Sequence, residues 1–191
     1  GHGDGETSWG PIMGASFSFS GEITGFENPN VTQWAVGENT NASRQQDDLQ
    51  VFVRGNSGLG FRNDDHPNNF ETAGLISIDE TAVSPLGAVV EQNGIIERNT
   101  DEDWFSFLSE GGQLSLTASV LDVLSERGVE SGSDTFGSNL AISLSLFDSD
   151  LVVIDESSPA DSLGAELDMT LPSGLYYIVV GGAGRGTPDT A

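Results

Sequence analysis

Asp101-Glu-Asp-Trp-Phe-Ser-Phe107 is the stretch whose reading decides the fold. In an extended chain successive side chains point to opposite faces, so Phe105 and Phe107 share one face and Trp104 takes the other. The two phenylalanines read as core. The same period recurs downstream. Leu114, Leu116, Ala118 and Val120 alternate with Ser115, Thr117 and Ser119. Leu140, Ile142, Leu144 and Leu146 alternate with Ala141, Ser143, Ser145 and Phe147. Leu167, Met169 and Leu171 alternate with Asp168 and Thr170, and Tyr176, Ile178 and Val180 oppose Tyr177 and Val179. Each pattern predicts a strand with one buried face. Shorter candidates are 74–78, 86–90, 94–97, 103–108 and 150–154. Phe147-Asp-Ser-Asp-Leu151 reads as a hairpin turn, and Pro172-Ser-Gly174 as a second turn before the tyrosine strand. Many short strands separated by turns predict a mainly β fold, an antiparallel sandwich of jelly-roll or immunoglobulin-like kind over residues 62–185.

Residues 1–58 have another texture. Gly, Asn, Ser and Thr dominate, and Trp9, Phe17, Phe19, Phe26 and Trp34 are scattered without a period. Residues 41–54 suggest a short helix with Ser43 as N-cap, although the β-branched end favours an extended exit. Asp47 and Asp48 read as capping or salt-bridging residues, because adjacent helical residues diverge by about 100° and rarely face one substrate together. Residues 55–60 read as a linker, and 186–191 as a tail.

The charge is one-sided. Lys and Arg total 6 against 30 Asp and Glu, for a formal net charge of −24. Phosphate binding needs a cationic surface, so a nucleic-acid partner is not expected. Anionic membranes would repel the chain, and no apolar run approaches the roughly 20 residues that span a bilayer. This excess of carboxylate repels itself unless salt, water or bound cations relieve it. The absence of cysteine excludes disulfides, thiolate zinc ligands and a thiol nucleophile.

Two blocks carry a resemblance. Gly1-His-Gly3, Trp9 with Pro11-Ile-Met-Gly14, Gln33-Trp34 with Gly37-Glu38, and Gln46-Asp-Asp-Leu49 resemble the end of a metzincin-like bacterial zinc metallopeptidase domain. The resemblance makes Met13 the methionine of the turn beneath a zinc site. It implies that the ligands and the base, carried by a His-Glu-x-x-His helix, lie upstream of residue 1. The chain itself has no such motif, and its histidines are His2 and His66. His2 reads as a loop residue near that site or as a cloning remnant. On this reading residues 1–58 are the remnant of an α+β catalytic domain, and the 191 residues are not catalytic by themselves.

Asn63-Asp-Asp-His66, Asp101 to Phe107, Asn139 to Asp148 and Leu171 to Val180 resemble, in order and spacing, the pre-peptidase C-terminal domain of secreted bacterial proteases. That resemblance implies a β-sandwich accessory module in a secreted protein, packed against the catalytic domain. It implies calcium near the start of the module, or binding of a protein or polymer substrate. The alternative is a free-standing extracellular calcium- or polymer-binding module.

Asp64, Asp65, Asp101 and Asp103 are the candidate metal ligands, because calcium favours carboxylates on flexible loops. They converge if the first strand pairs near the 101–103 loop. Asn63 and Glu102 are weaker candidates. The competing reading is that all are turn residues. Asp148, Asp150 and Asp155 read as a solvated turn before a cation site. An outward Tyr177 would suit a polymeric ligand. His66, followed by Pro67 in an acidic loop, makes no convincing catalytic triad. Gly181-Gly-Ala-Gly-Arg-Gly186 leads into no helix, so it is no phosphate loop.

Overall fold

The computed structural model describes residues 10–11, 32–33, 47–54, 60–77, 87–121, 140–160 and 162–183. The described parts of 62–119 and 140–183 form one compact unit, and the remaining described residues belong to a second. Met13, Ser43 and most of the 55–60 segment lie outside the described residues.

In the second unit, β1 (Gly10–Pro11) pairs in parallel with β2 (Thr32–Gln33). Helix α1 covers Asp48–Arg54. Its N-cap is Asp47, whose Oδ1 accepts the Gln50 N–H at 2.8 Å while its carbonyl accepts the Val51 N–H at 3.0 Å. That arrangement satisfies donors the first turn cannot. The helix continues through Val51-Phe-Val53, so the expected extended exit is not observed.

The first unit is mainly β. Its strands are β3 (Gly74–Leu75), β4 (Glu102–Ala118), β5 (Ile142–Asp148), β6 (Val153–Ser157) and β7 (Ala165–Gly182). They form one sheet in the order β3-β4-β7-β5-β6. Only β3 with β4 is parallel. A single-turn 3₁₀ helix at Phe70–Thr72, capped by Asn69, leads into β3.

Several expected strands merge. Residues 103–108 and 114–118 are one strand, β4, and 167–171 and 176–180 are one strand, β7. Pro172-Ser-Gly174 is therefore not a turn. It lies within β7, and the β4–β7 register keeps one offset from Glu102↔Gly181 through Glu110↔Ser173 and Gly112↔Leu171 to Ala118↔Ala165. Pro172 has no N–H for the ladder. At its level on β4 lies Gly111, followed by Gly112 opposite Leu171, with φ of 96° and 137°, where L side chains are strained.

The same place explains why the sequence suggests a break. In β4 the odd positions Asp103, Phe105 and Phe107 are buried, but further on the even positions Leu114, Leu116 and Ala118 are the more covered ones. In β7 the odd positions Ala165, Leu167 and Leu171 give way to the even positions Tyr176 and Ile178. Both strands change their buried face at the Gly111-Gly112/Pro172 crossing. A change of phase looks like a strand end in sequence.

Segment 94–97 is not a strand, and among the described residues of the 86–90 segment, 87–90, only Gly87 makes a bridge. The Asp148 turn is observed as expected, joining β5 to β6. The Leu151 N–H donates to the Asp148 carbonyl at 3.1 Å, and the Asp148 N–H to the Val152 carbonyl at 3.0 Å.

The core of the sheet is built on one face by Phe105, Phe107, Ile142, Leu144, Leu146, Tyr176 and Ile178. Phe107 stacks on Tyr176 at 5.6 Å. On the opposite face Trp104 stacks on Phe147 at 5.5 Å, with Phe70 and Tyr177 against its flank. Leu146 is 0% exposed and Leu108 is 67% exposed. Leu146→Ala is expected to cost about 2–5 kcal/mol in denaturant melts, the range for deleting a fully packed side chain. Leu108→Ala should stay within about 0.5 kcal/mol of wild type.

Candidate metal centre

Three segments meet at the first residues of β4. Asp103 is the second residue of the strand and points to the core face, two positions before Phe105. Asp101 precedes the strand at a turn in which its N–H donates to the Arg98 carbonyl at 3.1 Å. Segment 62–68 is tied to the strand by Trp104 N–H to Pro67 O at 2.9 Å and Glu102 N–H to Asn68 Oδ1 at 2.8 Å. Segment 93–97 is tied in by Glu97 N–H to Asp101 Oδ2 at 2.8 Å and Ile95 N–H to Asp65 Oδ1 at 3.4 Å.

These ties bring together the four carboxylates singled out from sequence. Asp64, Asp101 and Asp103 each place an oxygen within 4.8 Å of the others. Asp65 joins through two further sets, one with His66 and Asp103, the other with Asp64 and Glu97. Glu102 is exposed and outside all three sets, its Oε2 accepting from Trp104 Nε1 at 3.2 Å. Asn63 is exposed. Among the described residues no other group of this kind forms, and Asp148, Asp150 and Asp155 do not converge. Asp148 Oδ1 instead accepts the N–H groups of Asp150 and Val152, both at 2.9 Å. Tyr177 packs against Phe70 and Trp104 rather than standing outward.

Two members were not anticipated. His66 is adjacent to Asp64-Asp65 in the chain, and that adjacency was the available signal. Its ring stacks edge-on against Phe105 at 4.7 Å, and Nε2 lies 2.8 Å from the Asn93 carbonyl oxygen. A carbonyl only accepts, so Nε2 carries the proton. Glu97 had no signal, because nothing local predicts that 93–97 folds back on the 62–68 segment. Gly94 permits that approach. A Cβ there would stand 2.5 Å from Asp103 Oδ2 and 2.9 Å from His66 Cδ2.

The electrostatics are unbalanced. Asp103 is 3% exposed and Asp101 7% exposed. Asp103 Oδ1 and both Glu97 carboxylate oxygens are buried without a hydrogen-bond partner. Arg62 Nε stands 3.7 Å from Glu97 Oε1, beyond hydrogen-bond distance, on a side chain that is largely exposed. Burial is the main cause that pushes Asp103 up to about 6; His66 opposes the rise, and Asp101, Asp65 and Asp64 add to it. Burial likewise raises Glu97, helped by the neighbouring Asp101 carboxyl and the charge of Asp65. Leaving a buried acceptor unpaired costs about 1–3 kcal/mol, and more when it is charged.

Fold and site together define a mainly β protein with a carboxylate-rich candidate metal centre where its longest ribbon begins. Comparison with protein-family models finds no match, and comparison with curated protein sequences finds none either. Among the described residues, no helix is long and apolar enough to cross a membrane.

The raised carboxyls fix a sign for pH dependence without metal. A carboxyl whose folded pKa exceeds its unfolded value takes up its proton more readily in the folded state. For Asp103 that window runs from about 6 down to the ordinary value of 3.8. Stability of metal-stripped protein should therefore rise as pH falls through 6. Asp103→Asn should flatten that rise in thermal melts between pH 7.5 and 5. Equal slopes for the two proteins would contradict the assignment.

Proposed function

We propose that residues 62–183 are a cation-stabilised accessory module of a secreted protein, with calcium held by Asp64, Asp65, Asp101 and Asp103 and with Glu97 contributing. The observation that carries this is the buried, unpartnered Oδ1 of Asp103 amid like charges. Calcium takes six to eight oxygen ligands, and overlapping sets of carboxylates, Asp64 with Asp101 and Asp103 and Asp64 with Asp65 and Glu97, would supply several of them with water completing the shell. A divalent ion would compensate the buried carboxylate charge gathered there.

We read the sheet as part of a sandwich of the pre-peptidase C-terminal kind. The switch of buried face along β4 and β7 supports this, since sandwich strands pass from one layer to the other at bends and bulges. The resemblance of residues 1–54 to the end of a zinc metallopeptidase domain places the module behind such an enzyme. Zinc and the peptide-cleaving groups would belong to that domain, and a protein or polymer substrate to the whole enzyme. The module would pack against the catalytic domain and hold it or its substrate in place.

Extracellular modules bind calcium with a Kd of about 10⁻⁴–10⁻³ M. Calcium at 1 mM should then stabilise the fold by about 0.4–1.4 kcal/mol. Thermal melts with calcium and with chelator measure this. Asp103→Asn should abolish the calcium increment. An unchanged midpoint, with no heat of calcium binding, would exclude the reading.

A further inference from the structure

We infer that Asn93-Gly94 is a self-modification site, at which the chain turns its own asparagine into isoaspartate and so sets a new carboxylate against the His66 ring. The inference goes beyond the cation reading and does not depend on a bound ion.

Asn93 and Gly94 are the one Asn-Gly pair in the sequence. Both residues are exposed and lie in no helix or strand. Among the described residues, neither the Asn93 side-chain amide nor the Gly94 N–H has a hydrogen-bond partner. A side chain on the following residue would crowd the attacking nitrogen, and glycine has none. The reaction needs only groups of the chain and water. The Gly94 nitrogen attacks Asn93 Cγ, the Cγ–Nδ2 bond breaks, and the side-chain nitrogen leaves as ammonia with the Gly94 proton. A five-membered succinimide results. Water opening it at Cγ gives aspartate. Water opening it at the main-chain carbonyl carbon gives isoaspartate, in which the chain runs through Cβ and Cγ and the former main-chain carbonyl is a carboxylate.

The fold itself keeps this pair labile. It requires glycine at 94, because a Cβ there would stand 2.5 Å from Asp103 Oδ2 and 2.9 Å from His66 Cδ2. Of Asn93 it uses the main chain, whose carbonyl oxygen lies 2.8 Å from His66 Nε2. The product alters both contacts. The oxygen held by His66 becomes part of a carboxylate, and the extra main-chain carbon displaces Gly94 from its place beside Asp103. The residues that follow are tied to the acidic cluster, Ile95 N–H to Asp65 Oδ1 at 3.4 Å and Glu97 N–H to Asp101 Oδ2 at 2.8 Å. A longer main chain at 93 therefore strains the ties that hold segment 93–97 against β4, while the new charge adds to carboxylates already crowded there.

The test is storage of the folded 191-residue chain in calcium-free buffer at mildly alkaline pH, followed by peptide mapping with electron-transfer fragmentation, which separates isoaspartate from aspartate. Asn93 should convert at least about fivefold faster than any other asparagine of the chain, with isoaspartate the larger product. Asn93→Gln keeps the main-chain carbonyl but would need a six-membered ring, so position 93 should stay intact. Stored wild-type chain should melt below fresh chain, by a margin that grows with the isoaspartate fraction. Stored Asn93→Gln should melt as it did when fresh. Conversion in guanidinium-denatured chain but not in folded chain would overturn the inference, since the fold would then be holding the pair out of reaction. Aspartate at 93 without isoaspartate would also sink it, because no ring would have formed. A melting midpoint unmoved at full conversion would contradict the link to His66 and Asp103.

Discussion

One backbone ribbon, β4 laid antiparallel against β7 from Glu102↔Gly181 to Ala118↔Ala165, fixes where every other strand of the sheet attaches. β5 reads its register from the second half of β7, β6 from β5, and β3 from the start of β4. The ribbon also sets the chemistry. Because Phe105 pairs with Ile178 on the core face, Asp103 must point to that same face, opposite Val180. A carboxylate is delivered to a buried position by strand geometry, and the segments on either side of it have to deal with the charge.

They deal with it in an unusual way. Segment 62–68 and segment 93–97 each bring further carboxylates toward Asp103, with His66 and the distant Arg62 as the basic groups that accompany them. The hydrogen bonds that hold them use backbone N–H groups of Glu97 and Ile95 and the Asn68 side chain, so the loops are organised around acceptors. Such a centre is costly when its charges face only one another. It becomes favourable when a divalent ion sits among the oxygens, because the ion's charge reverses the local balance. An ion there would tie the start of β4 to segments 62–68 and 93–97.

The strand content was legible in the sequence because period-2 alternation depends only on local geometry. Ile142, Leu144 and Leu146 are buried as the pattern demands. The join at Gly111-Gly112 and Pro172-Ser-Gly174 was not legible. Local rules make Gly and Pro breakers, and only the partner strand shows that both fall at one crossing where the buried face changes side. The candidate site was half legible. Asp64-Asp65 and Asp101-x-Asp103 stand out as paired carboxylates beside a strand. His66 and Glu97 join them through long-range packing, and Gly94, which admits that packing, carries no chemical signal of its own.

The central claim is that the cluster around Asp103 holds a divalent ion. The most direct measurement is an anomalous difference map from crystals grown with calcium. The account predicts a peak about 2.3–2.6 Å from Asp103 Oδ1, the distance of calcium–oxygen bonds. A protein donor on Asp103 Oδ1, with no peak among Asp64, Asp65, Asp101 and Asp103, would contradict it.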